Sequence, residues 1–182
     1  MKRILVGQIL LILCCILYLI WWTRGYQPGV SVNRLGGMNG ILFGLTAASG
    51  LAGLICSLGR LEEKTTPKLN GYAIAALGVL AYFALMLFTR YVFDRIVTTE
   101  LILIVGWTTL EMVVINRLNA AGIISDKEFT VMCAVIAVAF TISMVLYVAY
   151  YRMEEMRAFY AAMIPLVTEA AVMTVLTGML IL

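Results

Sequence analysis

Long apolar runs alternate with short polar connections along the whole chain. Stretches of about 20 residues, enough to cross a bilayer, fall at roughly 4–22, 38–58, 70–89, 97–116, 129–151 and 158–182. Open strands would leave backbone groups unpaired in lipid, so each run is expected to be a helix. The pattern predicts an all-α fold: a polytopic integral membrane protein, a compact bundle of six transmembrane helices forming one domain over residues 1–182. The connections, such as "GRLEEKTTPKL" and "RMEEMR", leave no room for a soluble domain. The first run starts like a signal peptide but lacks a small-residue cleavage site, and is read as a retained first helix.

Composition sharpens this picture. Of 182 residues, 63% are hydrophobic and 13% are charged, and the mean hydropathy is +1.02. Soluble domains carry about 25% charged residues, and a chain this short cannot hide so much apolar surface inside itself. The surrounding solvent is therefore lipid. The net charge of +3 is spread over the connections, which does not suggest nucleic-acid binding.

Six crossings put both termini on one side of the membrane. That side carries Lys2, Arg3, Arg60, Lys64, Lys68, Arg117 and Lys127, against Arg24, Arg34, Arg90, Arg95, Arg152 and Arg157 on the other. All four lysines fall on the terminal side, which favours a cytoplasmic placement by the positive-inside rule, in a prokaryotic inner membrane. Aromatic residues, among them Trp21, Trp22, Tyr26, Tyr150, Tyr151 and Phe159, gather at the opposite interface. They form either an anchoring belt or the rim of a vestibule.

Small residues mark expected helix contacts. Gly36, Gly40, Gly44 and Ala48 recur every four residues in the second run, and small faces let membrane helices approach closely. This helix is expected at the centre of the bundle, gripped on two sides. The alternatives are a homodimer seam or a docking face for a partner membrane subunit. Gly50, Gly53 and Ser57 make a second, thinner face.

The specific chemistry lies in acids within the apolar runs. Glu100, Glu111 and Glu169 fall inside predicted spans, where an ionised carboxylate costs roughly 2.5 kcal/mol or more on insertion scales. Glu100 is near a helix end and within reach of interface water. The other two are deep. Glu111 lies about 21 Å past Val97 and Glu169 about 18 Å past Arg157, at 1.5 Å per residue along helices running the same way. At matching depth, two carboxyls in one pocket would share a proton or attract a cation. Trp107 shares a helical face with Glu100 and Glu111, and Thr108 stands one short turn from Glu111. Pro165 is expected to kink the last helix one turn before Glu169. Carboxylates beside an indole suit an organic cation.

No Walker loop, GxSxG or paired-aspartate motif is present, and histidine is absent. Four cysteines, Cys14, Cys15, Cys56 and Cys133, lie in apolar runs without CxxC spacing. No metal, cofactor or enzymatic activity is expected. In size and helix count the chain is similar to the membrane-embedded substrate-binding subunits of energy-coupling-factor transporters, a likeness of architecture alone. The expected function is binding or transport of a small cationic or amphipathic solute between the fourth and sixth helices. The alternatives are a structural or regulatory subunit docked through the glycine face, and an intramembrane lipid-modifying enzyme using its carboxylates.

Overall fold

The computed structural model describes residues 1–29, 36–59, 61–62, 64–94 and 99–181, with backbone only at Thr99 and Glu100. Arg34, Arg60, Arg95 and Val97, and the side chain of Glu100, lie outside the described residues. The described elements are α1 (Lys2–Tyr26), α2 (Gly37–Ser57), α3 (Gly71–Phe93), α4 (Thr99–Ala120), α5 (Asp126–Tyr150), α6 (Glu155–Ala161) and α7 (Ile164–Ile181). Six helical segments, with α6 and α7 counted as one, are long and apolar enough to cross a membrane. The protein is an all-α, multi-pass membrane protein.

Local chemistry sets the helix ends. Ser125 caps α5: its side chain accepts from the Glu128 N–H while the Glu128 carboxylate accepts from the Ser125 N–H, a reciprocal capping box. Asn70 starts α3 by accepting from the Tyr72 N–H. Just beyond α4, Gly122 takes φ +69°, and the Ile123 N–H reaches back to the Leu118 carbonyl at 3.0 Å. A glycine at this left-handed position carries no Cβ penalty.

The last span is interrupted. Helix α6 ends at Ala161 and α7 begins at Ile164, with the Met163 N–H turning back to the Tyr160 carbonyl. Pro165 therefore sits in the first turn of α7, where its missing N–H leaves no helical bond unmade.

The core lies between α1, α4, α5 and α7, where Leu11, Ile115, Leu118, Met132, Met173 and Leu176 are fully enclosed. Helix α7 touches α1, α4, α5 and α6. Among the described residues, α2 packs chiefly on α1 and α3 chiefly on α4, so both stand at the edges of the bundle. The central, doubly gripped second helix is thus corrected to a flanking one.

Two of the four small residues expected to pack, Gly44 and Ala48, do not do so among the described residues. Gly36 is the extended residue preceding α2, Gly40 is half-buried, and Gly44 and Ala48 are exposed. A Cβ at Gly44 would meet nothing within 4 Å. The close seam runs instead through the second face: a Cβ at Gly53 would lie 2.8 Å from Leu11 Cγ, and one at Gly7 2.6 Å from the Ser57 backbone nitrogen. The physical principle, backbone approach through small residues, operates here on a face rotated away from the Gly40–Gly44–Ala48 row.

At one end of the bundle the α2–α3 connection is fastened to the end of α4. The Arg117 guanidinium donates to the Leu58 and Gly59 carbonyls at 3.2 and 2.9 Å. Asn116, only 1% exposed, donates to the Leu69 carbonyl at 2.6 Å and accepts from the Leu69 N–H at 3.0 Å. Lys68 pairs with Asp126 at 2.7 Å. These bonds hold the start of α3, a helix whose own burial is slight: Thr89 is its one buried residue among those described.

Candidate functional site: a sealed polar cluster in the bundle core

Glu111 faces the centre of the bundle and is 1% exposed. Its Oε1 accepts a hydrogen bond from Gln8 Nε2 of α1 at 3.2 Å. Gln8 is itself fully enclosed. Neither remaining acceptor has a partner: both Gln8 Oε1 and Glu111 Oε2 are buried without a hydrogen bond. Buried polar atoms are nearly always satisfied, and these two acceptors lie on one hydrogen-bonded pair.

Glu169 of α7 is 4% exposed and lies within electrostatic reach of Glu111. Its Oε1 accepts from Thr108 Oγ1 of α4 at 3.5 Å, the long limit of such a bond. Cys15, two turns after Gln8 on the same face of α1, lies beside Trp107 and within electrostatic reach of both carboxyls. The Trp107 indole N–H is buried without a partner that satisfies it. One residue before Glu169, Thr168 shares a 2.8 Å hydrogen bond with Ser143 of α5. Four helices thus contribute polar groups to an otherwise apolar core.

The structure brings together Glu111, Glu169, Trp107 and Thr108 around this cluster. Pro165 joins Trp107, Leu166 and Glu169 around a gap between α4 and the α6–α7 break. That gap holds only about 10 Å³, roughly the space for one water molecule. Among the described residues, no group of three or more His, Cys, Asp or Glu side chains converges to hold a metal ion.

Gln8 was missed by sequence reasoning, although a signal was present. It is the one carboxamide in the first apolar run. It stands six residues past Lys2, about 9 Å along the helix, while Glu111 is nine residues, about 14 Å, from the end of α4 at the same face of the bundle. The two depths agree to within about one helical turn, so comparing polar residues by depth on helices of opposite direction would have made them candidates for a contact.

The aromatic cluster is likewise more enclosed than an anchoring belt. Trp21 and Trp22 are 6% and 8% exposed, and Trp22 stacks on Tyr26 with ring centroids 4.2 Å apart. Tyr91 and Tyr160, by contrast, are exposed at the surface.

Comparison with protein-family models, with curated proteins and with solved structures finds no match to this chain.

Proposed function

We propose that this multi-pass protein binds a proton at the Gln8–Glu111–Glu169 cluster and couples it to the binding or passage of a small solute between α4 and α7. The observation that carries this reading is the pair of orphan acceptors, Gln8 Oε1 and Glu111 Oε2. A proton on Glu111 Oε2 supplies the missing donor. It would convert the single bond into an acid–amide pair in which each partner donates once and accepts once. It also removes one of two neighbouring negative charges from a medium that solvates them poorly.

The volume beside Glu169 limits the occupant. About 10 Å³ admits a water molecule and excludes an organic cation in this conformation. Solute entry then requires α7 to part from α4. The break before Pro165 provides a place to bend, since an interrupted helix need not move as one rod. A cytoplasmic location for both termini, in a prokaryotic inner membrane, belongs to the same proposal.

Infrared spectroscopy of the protein in lipid at neutral pH tests it. Surface carboxyls are ionised there, so a carboxylic-acid C=O band would report a buried, protonated group. The band is expected in the wild type and should be lost in Glu111→Gln. Its absence from the wild type, or its survival in both Glu111→Gln and Glu169→Gln, would overturn the proposal.

A second reading has its own support. Both acids are enclosed and hydrogen-bonded, and Gly44 and Ala48 present an unoccupied small-residue face on α2. In that reading the cluster only registers the helices, and the protein is a subunit docked through α2 against a partner membrane helix. Glu111→Gln would then leave every functional assay unchanged.

A further inference from the structure

At the end of the bundle where α1 finishes and α6 begins lies a second, larger cavity, open to the surroundings and with a volume of about 360 Å³. It is distinct from the acid cluster. Trp22 and Tyr26 of α1, Tyr150 at the end of α5, and Phe159 of α6 supply aromatic walls, and Glu155 supplies a carboxylate. The rings are ordered relative to one another. Trp22 lies nearly parallel to Tyr26, at 11° and 4.2 Å, and to Phe159, at 16° and 6.4 Å. Glu155 is exposed, and no Lys or Arg is among the described residues that line the cavity. The nearby Arg24 is engaged on the α2 side, where its Nε donates to Asn39 at 3.3 Å.

We infer that this aromatic cleft, with Glu155 at its wall, binds an organic ammonium group. Trp22 and Phe159 are buried in a face-to-face stack, so the half-buried Tyr26, Tyr150 and Tyr151 are the rings able to offer a π-face to a weakly hydrated cation, the kind of contact by which aromatic residues recognise quaternary ammonium. Glu155 adds an opposite charge without demanding a bare ion in the membrane interior, because the cleft opens at the end of the spans. The volume accommodates a trimethylammonium or ethanolamine head with a linking phosphate. That chemistry is carried both by zwitterionic phospholipid headgroups and by free amines.

The test uses the full chain purified in an uncharged, amine-free detergent, with tetramethylammonium chloride as probe and sodium chloride at equal ionic strength as control. Tryptophan fluorescence reads the cleft through Trp22. A saturable change with tetramethylammonium and none with sodium is expected. Glu155→Gln, at an exposed position that does not threaten the fold, should weaken apparent binding about three- to fivefold. Tyr26→Leu should weaken it at least as much. Glu154→Gln, which removes the adjacent charge outside the cleft, should leave it unchanged. Repeating the titration in nanodiscs at about 1 M total salt, which screens the accumulation of tetramethylammonium at an anionic lipid surface, separates the sources. A midpoint raised in phosphatidylcholine relative to phosphatidylglycerol assigns the cleft to lipid headgroups, and equal midpoints assign it to a soluble amine. Absence of a saturable response, or equal effects of Glu155→Gln and Glu154→Gln, overturns the inference.

Discussion

At the scale of single residues, the decisive contact is the 3.2 Å bond from Gln8 to Glu111. Because both side chains are enclosed, removing one partner orphans the other, at a cost of about 1–3 kcal/mol. Glu111→Leu and Gln8→Leu should each lower stability by about that amount, whereas the double variant should recover most of the loss, since two apolar side chains leave nothing unpaired. Thermal denaturation in detergent measures the cycle; losses that simply add would mean the bond contributes little. Glu111→Gln, which retains size and an amide acceptor, should keep the fold. The two acids were legible in the sequence because each stands alone in an apolar run, and depth along parallel-running helices is simple arithmetic. Which side chain answers Glu111 was not legible, because a helix face can turn toward any neighbour.

At the scale of elements, the length of the apolar runs identified the spanning helices but not their packing faces. On α2, Gly40–Gly44–Ala48 and Gly50–Gly53–Ser57 are both small-residue faces, and nothing within the helix ranks them. The neighbour ranks them: Gly7 and Leu11 of α1 present the complementary surface to Gly53 and Ser57. Gly44→Leu should therefore leave the stability of the isolated chain in detergent unchanged to within about 0.5 kcal/mol, as expected for a site away from packed contacts. Gly53→Leu should destabilise by more than about 2 kcal/mol, because the new side chain must displace Leu11 and the α1 backbone. Equal melting temperatures for the two variants would contradict this assignment. Loss of self-association or partner binding in Gly44→Leu, without loss of stability, would favour the docked-subunit reading. From sequence, Pro165 marks an irregularity in the last span, because proline acts through its own covalent geometry; the structure places the interruption just before it, between Ala161 and Ile164, with Pro165 in the first turn of α7.

At the scale of the whole molecule, six spans joined by short connections imply an even number of crossings. Cysteines placed near Lys2 and Ile181, in a background lacking the four native cysteines, should react with an impermeant maleimide from the same side, and that side should be the cytoplasm. Labelling of the two ends from opposite sides would exclude the topology. What the sequence by itself determined was the set of elements: the number of spans, their approximate limits, their helical character and the depth of each buried acid. Those properties follow from hydropathy, backbone hydrogen bonding in lipid and a fixed rise per residue, all local to one segment. Only the tertiary structure decided that α2 and α3 flank the bundle, that α1 meets α4 through Gln8, and that Trp22, Phe159 and Glu155 border one cleft. In a membrane every helix is apolar on all sides, so hydropathy cannot distinguish a lipid-facing surface from a packed one. Shape complementarity and a few polar contacts make that choice, and both depend on pairs of residues far apart in the chain.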